Sequence, residues 1–314
     1  MLLGLDSNVK VIVFVGYIAL WTNQLILSHL AMTSSGEYSK TAIVLVTDLL
    51  KFAFALIGYS VESSQGPLGI VDDMYQHRVL FLLYAIPSGM YVAYNNLSYV
   101  ALTYFDPATY SVLMQLRIVV TGLLSVIIIN RRITPMQWIA LLVITFGGML
   151  KEVNIAGTLP LRDSTHYFII VVQLLLSAGA GVYTEQLLKG RAGACTSLQN
   201  LFMYFHGLWL DIVIIAFNGE LSGSLIPDLS VICSTPVLIG VVVNAAVTGV
   251  VTGYFLRILG SLLKSIASAL EIPAIAVASF VVFGYPISPS TGFAIALVCS
   301  GVFLYSNPAP KKLT

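Results

Sequence analysis

An arginine stands in the middle of an apolar stretch, Arg117 in Leu113-Met114-Gln115-Leu116-Arg117, with no carboxylate one turn away in its own segment. A guanidinium in such surroundings needs an anion, and its planar fork of donors suits phosphate. Two partners fit that need: a phosphate-bearing ligand, or a carboxylate from another segment, Glu271 or Glu185. Lys264 opens a second apolar run, where a lysine either meets an anion or snorkels to water. Glu271 follows two turns later, directly before Ile272-Pro273, where the proline removes a backbone hydrogen bond. It reads as a counter-ion for Arg117 or as a proton site. Asp48 and Lys51 lie three apart on one helical face and can pair, as a structural bridge or as part of a gate. Asp211 has no assignable role at this level.

Polar and aromatic residues gather around these charges: Tyr91, Tyr94, Asn95, Asn96, Tyr99 and Tyr110 in the first half, Asn200, Tyr204 and His206 in the second. Singly, such residues serve helix packing or membrane interfaces. Taken with a phosphate-seeking arginine they suit a base, a ribose and a sugar. Asn96-Leu97-Ser98 has the form of a glycosylation acceptor but lies inside an apolar span, out of a transferase's reach. Gly179-Ala180-Gly181 lacks the strand and turn of a dinucleotide loop and belongs with Asn244 to Gly249 among small-residue stretches that let helices approach. No catalytic pair with recognisable spacing is found, so an enzyme is not expected. Cys195, Cys233 and Cys299 are an odd number without metal-ligand spacing, and no metal or cofactor is expected.

The elements that must position these groups are transmembrane helices. Of 314 residues, 58% are hydrophobic and 9% charged, against roughly 25% charged in soluble domains. The formal charge of +1 excludes a strongly basic nucleic-acid binder. Apolar runs of bilayer-spanning length predict an all-α integral membrane protein of ten transmembrane helices. They cover 11–30, 41–61, 79–102, 107–129 and 136–150, then 166–188, 198–217, 236–258, 262–283 and 289–305. The linkers 62–78 and 218–235 hold Gly, Pro and Ser and read as turns or amphipathic stretches. The first run lacks a basic flank and a cleavage pattern, and is expected to be retained. With the N-terminus in the cytosol, that side receives Lys10, Arg78, Arg131, Arg132, Lys189, Arg191, Arg257, Lys311 and Lys312, and the other only Lys40, Lys151 and Arg162. The positive-inside rule therefore puts both termini in the cytosol.

The chain also repeats itself. Ile133-Thr134-Pro135 matches Ile287-Ser288-Pro289, Ala140 matches Ala294 and Gly147 matches Gly301, all at one offset. Five helices per copy is an odd number, so residues 1–153 and 154–314 are expected to form two inverted five-helix repeats, with a substrate site near the midplane. The second copy ends in a short cytosolic tail.

Tyr94-Asn95-Asn96-Leu97-Ser98-Tyr99-Val100-Ala101-Leu102, with Phe105-Asp106-Pro107-Ala108-Thr109-Tyr110 and Gln115-Leu116-Arg117, resembles the signature of nucleotide-sugar transporters. The subfamily that carries CMP-sialic acid and UDP-galactose is the most similar. Gly179-Ala180-Gly181-Val182-Tyr183-Thr184-Glu185 with Leu187-Leu188-Lys189, and Leu198-Gln199-Asn200-Leu201 with Tyr204, continue the likeness in the same order across nearly the whole chain. The resemblance implies the drug/metabolite transporter fold in Golgi or endoplasmic reticulum membranes. There it would exchange a cytosolic nucleotide sugar, a pyrimidine one by subfamily, for luminal nucleoside monophosphate by alternating access. It implies that Asn95, Asn96, Tyr110, Arg117, Asn200, Tyr204 and Lys264 line the cavity, with Arg117 and Lys264 receiving phosphates. Asp48, Lys51, Glu185 and Glu271 are the candidates for gating or counter-ion roles. The chain departs from the family pattern at Arg117, usually lysine, at Asp48, usually glutamate, at Gly260-Ser261, usually Asp-Asn, and at Glu271. Besides the lipid bilayer and its nucleotide ligands, the expected partners are a second copy in a homodimer and a coat protein that recognises Lys311-Lys312 as an endoplasmic reticulum retrieval signal. The alternatives are a non-transporting scaffold and an exporter of another small metabolite on the same fold.

Overall fold

A computed structural model describes residues 3, 5–34, 40–63, 66–156, 164–190, 194–217, 225–284 and 286–306, all helix and short linkers. Lys311 and Lys312, the expected retrieval signal, lie outside the described residues. In chain order the helices are α1 (Asn8–Ser34), α2 (Lys40–Glu62), α3 (Ile70–Gln76), α4 (Arg78–Tyr104), α5 (Pro107–Met114), α6 (Arg117–Ile129), α7 (Pro135–Ala156), α8 (Ser164–Gly190), α9 (Thr196–Phe217), α10 (Leu225–Ser234), α11 (Pro236–Ile258), α12 (Ser261–Phe283) and α13 (Pro289–Ser306). A 3-10 turn, Gly66–Gly69, precedes α3. Among the described residues, eight segments are long and apolar enough to cross a bilayer, and Pro135–Leu150 is a shorter apolar helix. The helix α4, 27 residues long, is not among the eight. Its Tyr94-Asn95-Asn96 and Ser98 dilute the apolar run.

The span expected over 107–129 is present as Thr109–Ile129, with a local change of helix geometry inside it. It breaks into α5 and α6 at Gln115-Leu116, immediately before Arg117. The amide of Gln115 donates to both Ser111 and Val112 carbonyls at 3.2 Å, and those of Leu116 and Ile118 reach back three residues rather than four, so the chain tightens to 3-10 geometry without forfeiting its bonds. Gly148 of α7 leaves room beside the break: a Cβ there would lie 2.8 Å from the Gln115 side chain.

The chain divides into two compact units, each drawing on both halves of the sequence. One comprises Met1–Ile18, Ala93–Gln186 and Ile258–Thr314, the other Ala19–Val92 and Leu187–Arg257. In the first, Ala101, Phe105, Met114, Ile170 and Leu174 form a buried cluster. There, α7 packs on α13 through small residues. A Cβ on Gly147 would sit 3.0 Å from Val298, and one on Gly301 2.6 Å from Ile144, while Ala140 and Ala294 are fully buried. Moving three residues forward from Ile144 to Gly147 moves three back from Gly301 to Val298, so the two helices run antiparallel. Close packing of this kind, with glycine admitting a neighbouring backbone, is the usual means of helix association in lipid. In the second unit Ala31, Ala42, Ile232, Leu238, Val241 and Val242 form the buried cluster between α1, α2, α10 and α11.

Candidate functional site

Within the first unit, α6 and α12 bring the cationic residues together. Ser265 donates its hydroxyl to Thr121 at 3.2 Å, and Thr121 donates to the carbonyl of Arg117 at 2.7 Å. Lys264 adjoins Ser265 in sequence, and Arg117, Lys264 and Glu271 act on one another electrostatically. Both cations are half-buried. Glu271 is hydrogen-bonded by Ser268, yet its Oε1 is buried with no partner. Two cations close together inside apolar spans are an arrangement suited to an anion.

The first turn of α12 is fixed by a carboxylate from another helix. Glu185 of α8, 2% exposed, accepts from the backbone N–H and from the hydroxyl of Ser261, each at 2.6 Å. It thereby caps the start of α12 one turn before Lys264. The residue preceding Ser261, Gly260, has φ +91°, and a Cβ there would lie 2.3 Å from Glu185 Oε1. The Gly260-Ser261 departure thus has a structural use here: glycine admits the carboxylate and serine binds it.

Tyr110 of α5 belongs to a small polar network in the same unit. The amide of Gln173 donates to the Tyr110 hydroxyl at 2.8 Å, to the Ser98 hydroxyl at 2.6 Å and to the Tyr94 carbonyl at 3.3 Å, and Tyr110 donates to Ser98 at 3.1 Å. Gln173 is fully buried, whereas Asn95 and Asn96 are exposed on α4. Sequence reasoning missed Gln173, although a lone amide inside the apolar run 166–188 was a signal available to it.

The second unit holds the remaining candidates. The pair read from spacing is present: Lys51 Nζ lies 2.8 Å from Asp48 Oδ1. Asp211 of α9 is hydrogen-bonded to Asp48 and within the field of Lys51, which gives the formerly unassigned aspartate its surroundings. Asn200 and Tyr204, one turn apart on α9, are both buried, and Asn200 Nδ2 and the Tyr204 hydroxyl have no hydrogen-bond partner among the described residues. Two glycines of α11 make room for these groups. A Cβ on Gly253 would fall 2.0 Å from Asn200 Oδ1, and one on Gly249 2.7 Å from the Lys51 stem. Nearer the ends of the helices, Glu62 accepts from Tyr254 and from the Ser197 amide, and Arg257 donates to Thr196. Cys195, in the link before α9, is half-buried, and burial above all, with the Glu62 carboxylate contributing, pushes its thiol up. His206 lies 2.9 Å from the Phe81 carbonyl and is thereby occupied in joining α9 to α4.

Many apolar helices with cations and orphaned polar atoms inside them define a multi-pass membrane protein of the transporter class, since charge and unsatisfied polarity within a span mark ligand paths. Comparison with known proteins gives the family. The sequence profile described as "Nucleotide-sugar transporter" matches residues 5–306, and the chain belongs to that family. The UDP-galactose transporter senju of Drosophila melanogaster is 33% identical over 96% of this chain and 87% of its own. CMP-sialic acid transporter 2 of Oryza sativa subsp. japonica is 27% identical over 88% of this chain and 78% of its own. A crystal structure aligns with TM-score 0.64 at 15% identity over 95% of this chain and 96% of its own, a likeness of fold alone. Family and relatives are transporters, not enzymes.

Proposed function

We propose that the protein carries a cytosolic pyrimidine nucleotide sugar into the lumen of the Golgi or endoplasmic reticulum in exchange for nucleoside monophosphate, by alternating access. Arg117 inside an apolar span, with Lys264 acting on it from the packed helix α12, is the observation that carries the reading. Two cations inside the span form a receptor for phosphate and have no evident use in a purely structural membrane protein. Asn95, Asn96 and Tyr110, and in the second unit Asn200 and Tyr204, are proposed as donors and acceptors for the base, ribose and sugar. Unpartnered buried atoms on Asn200 and Tyr204 support that role, because orphaned buried polar groups cost ~1–3 kcal/mol unless something else satisfies them.

Ten crossings arranged as two inverted repeats remain part of the proposal. The swapped contacts of Gly147 with Val298 and of Gly301 with Ile144 support it, since a two-fold axis in the membrane plane produces that reciprocity between corresponding helices. Cytosolic termini follow from the lysine and arginine distribution. Uptake of radiolabelled UDP-, CMP- and GDP-sugars into proteoliposomes preloaded with UMP, CMP or GMP tests the function. Trans-stimulation by one matched pair is expected, and none by any pair with folded protein would sink the reading.

A further inference from the structure

We propose that Glu271 is a specificity-determining residue, a built-in carboxylate that lowers the positive charge of the Arg117–Lys264 site and so reduces the advantage of more highly charged phosphate ligands over those with fewer charges. The inference rests on the nucleotide-sugar reading above and deepens it by naming the charge class the site takes.

The packing of α6 on α12 brings the three groups together. The Ser265 to Thr121 to Arg117 chain of hydrogen bonds, 3.2 and 2.7 Å, ties the residue beside Lys264 to the backbone of Arg117. Glu271 lies two turns along α12 from Lys264 and feels both cations. Pro273, inside the same helix, removes one backbone donor just beyond it. With Oε1 buried and unpartnered, Glu271 is not consumed by a structural hydrogen-bond network on that side. A buried carboxylate oxygen left in this state is stabilised mainly by the field of nearby cations.

Charge counting gives the consequence. Two cations alone form a site of +2, and Glu271 reduces it to +1. Each added phosphate charge on a ligand gains from the cations but is repelled by the carboxylate. At an effective dielectric of about 20 and a separation of about 12 Å, that repulsion is worth roughly tenfold in affinity per ligand charge, and more at shorter range. Arg117 and Glu271 also occupy corresponding positions of the two halves, at the same offset that aligns Ile133-Thr134-Pro135 with Ile287-Ser288-Pro289. One half thus contributes the cation and the other the anion, at the matched point of the repeat.

The test is equilibrium binding of UMP and UDP, which differ by one phosphate charge, to the purified full-length protein. Wild type is expected to prefer UDP over UMP about tenfold less than a site of the two cations alone would. In Glu271→Gln the UDP affinity is expected to rise about tenfold relative to UMP, with the wild-type ratio retained in Glu271→Asp, which keeps the charge. A Glu271→Gln protein that binds both nucleotides with the wild-type ratio would overturn the proposal. So would a Glu271→Asp protein whose ratio shifts as far as that of Glu271→Gln. If wild type binds neither these nucleotides nor their cytidine and guanosine counterparts, the nucleotide reading itself fails, and that result is distinct from an unchanged ratio.

Discussion

Replacing Glu185 by glutamine changes little in shape and removes one charge at the first turn of α12. The buried carboxylate accepts two hydrogen bonds from Ser261, both 2.6 Å. Bonds to a charged group contribute about 1.5–3 kcal/mol each, and a negative charge at a helix N-terminus adds roughly 0.3–1 kcal/mol, more when buried. Both bonds end on one oxygen, Oε2, so a glutamine oxygen in its place still accepts both, but as neutral bonds roughly half as strong as the charge-assisted ones, and the charge at the helix start is lost. The expected loss is therefore about 2–4 kcal/mol, read as a lowered midpoint in thermal unfolding of the detergent-purified protein. Ser261→Ala removes only the hydroxyl bond and leaves the amide bond intact, so it is expected to cost less than Glu185→Gln. Gly260→Ala should cost at least as much, because φ is +91° and the added Cβ would lie 2.3 Å from the carboxylate. Lys264 lies on the turn that this cap holds, so Glu185→Gln should also raise the KM for nucleotide sugar more than it lowers the maximal rate. A Glu185→Gln protein that melts with wild type, or melts lower than Ser261→Ala by nothing measurable, would refute the capping argument.

Four further substitutions probe the packing of the helices. Gly253→Ala places a Cβ 2.0 Å from Asn200 Oδ1, so it is expected to cost about 1–3 kcal/mol in thermal stability and to depress uptake by displacing Asn200. Gln173→Leu deprives the Tyr110 and Ser98 hydroxyls of a shared donor, with an expected loss of roughly 1–3 kcal/mol on melting. Gly301→Ala meets Ile144 Cγ1 at 2.6 Å and backbone atoms at 3.1 and 3.2 Å, whereas Gly89→Ala on α4 meets nothing within 4 Å. Melting should therefore separate the two, with Gly301→Ala destabilised by about 1–3 kcal/mol and Gly89→Ala unchanged or slightly stabilised.

Hydropathy located the helices because burial in lipid demands apolar runs of fixed length, and the runs beginning near Val11, Thr41 and Pro236 sit inside α1, α2 and α11. The Asp48–Lys51 pair was legible because both partners share one helix and its geometry alone brings them together. Contacts set by tertiary packing left no such trace. Glu185 and Ser261 are 76 residues apart, and nothing in either segment states that one caps the other. The break before Arg117 was hidden for a different reason: it contains no proline or glycine, and the notch that admits Gln115 lies on another helix, at Gly148. Gly249 and Gly253 read as generic small-residue packing, and their clearance for Lys51 and Asn200 emerges only when α2, α9 and α11 are assembled.

Arg117 is proposed to receive the phosphate of a transported nucleotide sugar. Trans-stimulated uptake into nucleotide-preloaded proteoliposomes, compared between wild type and Arg117→Ala of equal melting temperature, tests it most directly. Loss of exchange in Arg117→Ala, with a fraction retained by Arg117→Lys, is the result expected from a charge whose fork geometry improves on that of lysine. Exchange at the wild-type rate in Arg117→Ala would contradict it.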